Sequence, residues 1–183
     1  LVIHEVAHGW VAYMMGDITA KWLGRLTLNP LKHLDLFGTI ALLFFGFGWA
    51  RPVPVNYLNF RDLRKGIFFV SIAGVAANFL FAFLALFVSR LTISYDAGLL
   101  HQALGIIAYI NILLAAFNII PIPPLDGSKV LMSFLPNDLR YSMERIEPYG
   151  MFIILGLLYI GLLNPVIRFF QSVIITLIKI FLP

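Results

Sequence analysis

The stretch GIFFVSIAGVAANFLFAFLALFVS, residues 66–89, contains no Asp, Glu, Lys or Arg. It is longer than the roughly 20 residues that cross a hydrocarbon core as a helix. Residues 97–125 form a second uncharged stretch of this kind. Of the 183 residues in the chain, 61% are hydrophobic and 12% are charged. Soluble domains carry about twice that charged fraction, so the composition predicts a membrane protein and excludes a soluble enzyme.

The shorter apolar segments complete this prediction. Residues 1–16 and 149–163 are each interpreted as a further membrane helix, the first ending at Gly16. Residues 165–182 fit either a surface-lying amphipathic helix or a final span. We therefore predict an all-α polytopic membrane protein with about four to five membrane helices. A re-entrant or extended segment is expected near residues 37–55, which is glycine-rich and too short to cross.

The distribution of charge predicts an orientation in the membrane. The formal net charge is +4, and the basic residues flank apolar runs, which favours contact with lipid head groups over nucleic acid. The basic stretches 51–65 and 121–148 fall on one side of the predicted spans, and the positive-inside rule makes that side cytoplasmic. The chain contains no cysteine, so any metal must be held by nitrogen and oxygen ligands.

The sequence begins only three residues before a histidine-rich motif. A membrane helix holding that motif needs more residues upstream, so we expect a truncated N-terminus. Residues 1–183 are expected to form a single membrane-embedded domain.

The motif His4-Glu5-Val6-Ala7-His8 predicts a metal centre. Imidazoles at positions i and i+4 lie on one helix face and can share a metal ion. Glu5 then lies beside the ion, where it can take a proton from a metal-bound water. Three ionisable groups within five residues of a membrane helix are costly unless they are paired, which indicates function. The alternative is a helix end at the membrane interface with hydrated histidines.

A catalytic zinc site needs a third protein ligand and an open position for water. Asp126 is the preferred candidate because it follows the proline-rich stretch 118–125, which stops a helix and stiffens the chain. One carboxylate, two neutral histidines and the motif glutamate bring the charge around the ion close to zero, which low-dielectric surroundings tolerate best. The alternative is that Asp126 caps a helix that begins at Gly127. His33 and His101 are interpreted as ordinary interfacial histidines.

The chain resembles the site-2 protease-like intramembrane zinc metalloproteases, in the compact bacterial branch without a PDZ domain. The resemblance covers nearly the whole chain and rests on the histidine motif and on three further stretches, residues 25–33, 48–56 and 118–127. It implies that His4, His8 and Asp126 bind one Zn²⁺ per chain and that Glu5 is the catalytic base. It also implies a multi-pass protein of the bacterial inner membrane. Because water must reach the metal, we expect the active site to open toward the cytoplasm, the side of the basic stretches.

Two asparagines are candidates for binding the substrate. Asn78 ends the stretch Gly74-Val75-Ala76-Ala77-Asn78, which resembles a glycine-to-asparagine motif of the family, although many members have proline where this chain has Val75. Asn118 opens the proline-rich stretch. The alternative for both is helix–helix hydrogen bonding, which buried asparagine often provides in membranes and which we prefer for Asn118.

We therefore predict an intramembrane zinc endopeptidase that hydrolyses peptide bonds of membrane-spanning substrates, with a zinc-activated water and Glu5 as general base. Its expected partners are a membrane-protein or peptide substrate and the lipid bilayer, without nucleic acid. The alternative is a non-catalytic membrane metal-binding scaffold or transporter, in which Glu5 would be dispensable.

Overall fold

The computed structural model describes residues 1–45, 48–92 and 98–182. Within these ranges the chain forms eight α-helices: α1 (Val2–Met14), α2 (Thr19–Trp22), α3 (Leu36–Phe45), α4 (Leu63–Leu91), α5 (Gly98–Asn118), α6 (Asp126–Phe134), α7 (Asn137–Tyr159) and α8 (Leu163–Phe181). Two single 3₁₀ turns occupy Pro30–Lys32 and Tyr57–Asn59. Among the described residues β pairing is limited to one antiparallel bridge between Leu34 and Ala50. The predicted all-α fold is confirmed.

In the part of the chain that the structure describes, three helices have the length and composition of membrane spans: α4, α5 and α8. The sequence of residues 165–182 fits either a surface-lying helix or a final span. Helix α8, which covers all but the last of these residues, is long and apolar enough to be that span. Helix α1 is only 13 residues long, and α7 carries charges in its first half. Their crossing of the membrane, which the count of four to five requires, stays a prediction. The polar stretch 121–148 is largely helical, because it contains α6 and the first half of α7.

The chain divides into two compact units, Leu1–Gly74 and Val75–Pro183. The boundary between them falls inside helix α4. The expectation of a single domain stays a prediction.

In the first unit, α1 ends where the sequence predicts. Gly16 has a φ of +114°, a conformation that glycine adopts without strain. The Asp17 N–H then donates to the Ala12 carbonyl at 2.9 Å, which satisfies one free carbonyl at the helix end. The turn directs the chain into α2, which packs against α1. The core of this unit is formed by Ala12, Phe60, Ile67 and Val70.

The segment near 37–55 divides into a helical and a non-helical part. The Asp35 carboxylate accepts the Gly38 N–H at 2.8 Å and caps the first turn of α3. Residues 48–56 are non-helical, as expected, because Pro52 and Pro54 cannot donate helical hydrogen bonds. Of the two alternatives for this segment, extended chain was therefore wrong for residues 37–45, where the Asp35 cap and the helix formers Ala41, Leu42 and Leu43 outweigh Gly38, and the re-entrant alternative stays a prediction.

In the second unit, α5 packs on α8, and small residues allow the close approach. Its described residues include two clusters of buried side chains. One is Ala82, Ile112, Ala115, Ala116, Ile174 and Ile178, and the other is Ile120, Leu125, Ile154, Leu163 and Ile167. In lipid, helices gain little from burying apolar surface, so alanines that permit tight contact carry more of the association. Gly150 of α7 lies against the Pro123 carbonyl, so α7 packs directly on the proline-rich stretch.

Candidate metal centre and catalytic base

The histidine pair, His4 and His8, lies on one face of α1 as the i, i+4 spacing predicts. The two Nε2 atoms are 3.0 Å apart, and the rings meet edge to face. Both side chains are buried, with 4% and 9% exposure. Buried imidazoles brought this close indicate a shared function rather than hydrated histidines at a helix end.

A backbone carbonyl fixes the ring orientation of His8. Its Nδ1 lies 2.6 Å from the carbonyl oxygen of Val70, on α4. An acceptor at this position keeps the proton on Nδ1, so Nε2 carries the lone pair and faces His4. Metal-binding histidines are commonly oriented in this way, by a hydrogen bond from the nitrogen that does not bind the metal.

Gly74 provides the space in which the pair sits. A β-carbon at this position would lie 2.5 Å from His4 Cε1 and 2.5 Å from His8 Nε2. Real β-carbons do not approach so closely, so any larger residue would push the two rings aside. Gly74, which opens the glycine-to-asparagine stretch of α4, therefore packs against the two candidate zinc ligands.

The donor set fits zinc. Two imidazole nitrogens on a tetrahedral zinc ion, each about 2.0–2.1 Å from it, lie about 3.3 Å from each other. The 3.0 Å separation of the two Nε2 atoms is close to that value. Imidazole and carboxylate ligands without cysteine are also the set found at many catalytic zinc sites.

Glu5 is held by the non-helical segment 48–56. Its Oε2 accepts the backbone N–H of Val53 at 2.8 Å. Within the described parts of the chain, Oε1 has no hydrogen-bond partner of its own. One oxygen therefore anchors the carboxylate, and the other is available for chemistry.

Arg25 in turn holds the residues that precede Val53. Its Nη2 donates to the backbone carbonyl of Arg51 at 3.0 Å and to that of Pro52 at 3.3 Å. Burial and the nearby charge of Arg51 lower the pKa of Arg25, and the Glu5 carboxylate opposes this effect. Two consecutive peptide units, 51–52 and 52–53, are thus fixed between a guanidinium and the glutamate of the motif.

Asp126 lies in the second unit, as the first residue of α6. The N-cap of this helix is Leu125, so the alternative in which Asp126 caps a helix beginning at Gly127 does not hold. Gly127 lies against the backbone carbonyls of Ile119 and Ile120, and Ser128 Oγ donates to the Leu125 carbonyl at 2.7 Å. These contacts fix the chain around Asp126, whose role as a ligand stays a prediction.

The two asparagines occupy different environments. Asn78 is on α4 and is 1% exposed. Asn118 Nδ2 donates to the Leu114 carbonyl of its own helix at 2.9 Å. This bond uses one amide proton of Asn118 inside α5, and the proposed substrate contact of either side chain stays a prediction.

The two other histidines have local partners. His33 Nε2 lies 2.8 Å from the Thr27 carbonyl, and His101 Nδ1 lies 3.1 Å from Ser89 Oγ. His33 is 2% exposed, so it is a buried structural residue rather than an interfacial one.

Two contacts of the site cannot be predicted from a side-chain pattern. The Val70 carbonyl and the Val53 N–H are backbone groups, which every residue carries, so no side-chain pattern marks them. The Arg25 contact had a weak signal, since residues 25–33 and 48–56 both belong to the stretches that carry the family resemblance.

Known proteins of one family are similar in sequence to most of the chain. Residues 90–161 match peptidase family M50. "Putative zinc metalloprotease YwhC" of Bacillus subtilis is 44% identical over 162 residues, 85% of this chain and 74% of YwhC. "Putative zinc metalloprotease Rip2" of Mycolicibacterium smegmatis is 30% identical over 90% of this chain and 65% of Rip2. "Zinc metalloprotease MJ0392" of Methanocaldococcus jannaschii is 25% identical over 99% of this chain and 44% of its own length. No solved structure gives a significant match.

Proposed function

Because the chain belongs to peptidase family M50 and is a metalloprotease, we propose that it cleaves membrane-spanning substrates within or at the edge of the bilayer, with Glu5 as the general base. The observation that carries the proposal is the geometry of α1. One helical turn holds two buried imidazole nitrogens 3.0 Å apart and a carboxylate anchored at 2.8 Å.

Family membership bears out the coarser predictions. The resemblance to site-2 protease-like proteins is correct, and the protein is a membrane-embedded enzyme that acts on a peptide or protein substrate. Its cofactor is Zn²⁺, as the names of the relatives support. This favours a protease over a non-catalytic metal-binding scaffold or transporter.

The residues of α1 divide the chemistry between them. When bound, zinc supplies a Lewis acid that polarises a carbonyl and makes a water molecule acidic near neutral pH. His4 and His8 would hold it through Nε2. Glu5 Oε1 accepts a proton from the attacking water, and the same carboxyl group then protonates the amine as the peptide C–N bond breaks. The Val53 N–H keeps the carboxylate in place during both transfers.

The role of Glu5 is tested by Glu5→Gln. We expect cleavage of a model membrane-helix substrate to fall by at least about 10²-fold, because the amide cannot accept the proton. Zinc content, measured on the same preparation, should stay at that of the unmutated chain, because Glu5 is not a ligand. Equal cleavage by both proteins would contradict the assignment.

We further propose that Asp126 is the third zinc ligand. Two neutral imidazoles and one carboxylate leave the ion a net charge of +1, and Glu5 brings the whole site near neutrality, which buried surroundings favour. The position of Asp126 at the start of α6, directly after the proline-rich stretch, supports a fixed ligand rather than a mobile surface residue.

Asp126→Ala tests this ligand. Zinc content should drop, since removal of one of three protein ligands weakens binding by orders of magnitude, whereas Asp138→Ala should keep it. Asp138 is the matched control because it is also an aspartate in the first turn of a helix, α7, and is exposed. Undiminished zinc in Asp126→Ala would remove this residue from the coordination sphere.

Asn78 and Asn118 are proposed to contact the substrate backbone, or else to hold helices together. A contact with substrate predicts that replacement by alanine lowers cleavage while zinc content and thermal stability stay unchanged. A structural role predicts the loss of stability instead.

A further inference from the structure

The first unit contains a cavity beside the segment that holds Glu5. Its volume is about 500 Å³, and its lining residues are Leu23, Arg25, Arg51, Pro52 and Pro54. Two of these residues are arginines and the other three are apolar. We call it the arginine cavity.

The two arginines of the cavity have no ion-pair partner among the described residues, and the Glu5 carboxylate acts on Arg25 only at longer range, where it raises the pKa of Arg25. Across residues 1–45, 48–92 and 98–182, no carboxylate forms an ion pair with Arg25 or Arg51. The Nε of Arg25 is buried and has no acceptor among the described residues. Arg25 Nη2 donates to the Arg51 carbonyl at 3.0 Å and both residues line the cavity, so the two arginines are neighbours. Burial, and next the charge of Arg51, lower the pKa of Arg25, in keeping with this proximity. Two neighbouring guanidinium groups and an unused donor form a site to which an anion would bind favourably.

The cavity adjoins the catalytic residues through shared backbone. Arg51 and Pro52 line the cavity, and the next residue, Val53, donates its N–H to Glu5. Two residues of extended chain span about 7 Å, so an anion in the cavity would lie only a few residues along a substrate from the bond that is cut. The apolar walls offered by Leu23, Pro52 and Pro54 suit the methylene groups of a side chain.

We propose that the arginine cavity binds an acidic side chain of the substrate, close to the scissile bond, and so sets a sequence preference. The inference rests on the proposed function, since it places the ligand beside the catalytic glutamate. Position favours a peptide carboxylate over the phosphate of a lipid, because the cavity wall is continuous with the segment that holds Glu5. A bidentate contact between arginine and carboxylate gives the selectivity.

The test uses the zinc-loaded, full chain in liposomes and a series of model membrane-helix substrates. Each substrate carries a single Glu at one position near the cleaved bond, and its pair carries Gln there. We expect one or two positions at which Glu raises kcat/KM about 10- to 100-fold over Gln, the range expected for hydrogen bonds to a charged group. This comparison needs no variant of the enzyme.

Two arginine variants then locate the effect. Arg51→Gln should bring the Glu-to-Gln ratio close to one, whereas Arg64→Gln should keep it. Arg64 is the matched control because it is an exposed arginine of the same unit that does not line the cavity. In Arg51→Glu, a substrate with Lys at the same position should become the preferred one, which mere loss of structure would not produce.

Three outcomes would overturn the inference. Equal cleavage of Glu and Gln substrates at every position refutes it while the proposed function stands. A failure to cleave any substrate refutes both. The third outcome is a Glu-to-Gln ratio of one together with an effect of lipid. If anionic phosphatidylglycerol, compared with phosphatidylcholine, changes the activity of the unmutated chain and not that of Arg51→Gln, the cavity binds a lipid phosphate instead.

Discussion

At the scale of single residues, the site depends on a glycine, which has no side chain that could bind the metal or react. Gly74 leaves room for the histidine pair, since a β-carbon there would meet both rings at 2.5 Å. Zinc ligands tolerate little displacement, because the ion requires each donor within a narrow distance.

We therefore expect Gly74→Ala to weaken zinc binding and cleavage together. Overpacking of this kind costs roughly 1–3 kcal/mol, which corresponds to about a 5- to 150-fold loss in zinc affinity if it falls on the bound state. Competition with a zinc chelator measures that affinity directly.

Gly105→Ala is the matched control for this change. Gly105 is also inside a helix, α5, and a β-carbon there meets nothing within 4 Å. Its zinc affinity and activity should equal those of the unmutated chain. Unchanged zinc affinity in Gly74→Ala would contradict the prediction, because it would mean that the rings of His4 and His8 can accommodate a β-carbon at position 74.

At the scale of elements, Asp17 joins the end of α1 to the chain before α4. Its carboxylate accepts hydrogen bonds from the Thr19 N–H at 3.0 Å, the Asn56 N–H at 2.7 Å and Asn59 Nδ2 at 2.8 Å. Burial by itself would raise the pKa of Asp17, but the hydrogen bonds from Thr19, Asn59 and Asn56 outweigh it and lower the pKa.

Asp17→Asn should lower the thermal stability of the protein at pH 7. Asparagine replaces one of the two accepting oxygens of Asp17 with an NH₂ group, which cannot accept a hydrogen bond. A buried donor then loses its partner, at a cost of roughly 1–3 kcal/mol. Because the folded pKa is below the ordinary value of 3.8, the stabilisation is present above that pH and is lost as the pH falls through the folded pKa. Thermal unfolding in detergent should therefore show a difference between the two proteins that shrinks in acid.

Asp62→Asn serves as the control for this comparison. Asp62 is more exposed and precedes α4, where it accepts the Lys65 N–H, and asparagine can also cap a helix. Its stability should stay near that of the unmutated chain. A stability gap between Asp17→Asn and the unmutated chain that grows in acid would contradict the sign of the pKa shift.

At the scale of the whole molecule, we propose that the basic ends of the helices face the cytoplasm and that the active site opens to that side. The chain has no cysteine, so single cysteines can report this orientation. Lys65 stands near the start of α4 with a side chain that is 72% exposed, and Leu99 stands near the start of α5 and is 83% exposed.

In intact cells, a membrane-impermeant maleimide should label Leu99→Cys and not Lys65→Cys, because α4 carries the chain across the bilayer between them. Both should be labelled after permeabilisation, which controls for reactivity. The reverse pattern would place the basic loops outside the cytoplasm.

The sequence by itself determined the membrane-embedded helical fold and the chemistry of α1. Length, hydropathy and charge indicate helices that suit lipid, and the i, i+4 spacing brings His4 and His8 to one face without help from the rest of the chain. The end of α1 at Gly16 and the non-helical residues 48–56 follow from glycine and proline in the same local way. Within residues 37–45 the local signals conflicted, and the capped helix prevailed.

Only the tertiary structure decided how these residues are held. His8 is oriented by a carbonyl 62 residues away, and Glu5 is anchored by an N–H 48 residues away. Gly74 supplies the space, and Arg25 and Arg51 meet at one cavity. Backbone donors and acceptors are the same at every residue, and an empty volume has no residue type, so only the packing of distant segments could specify them.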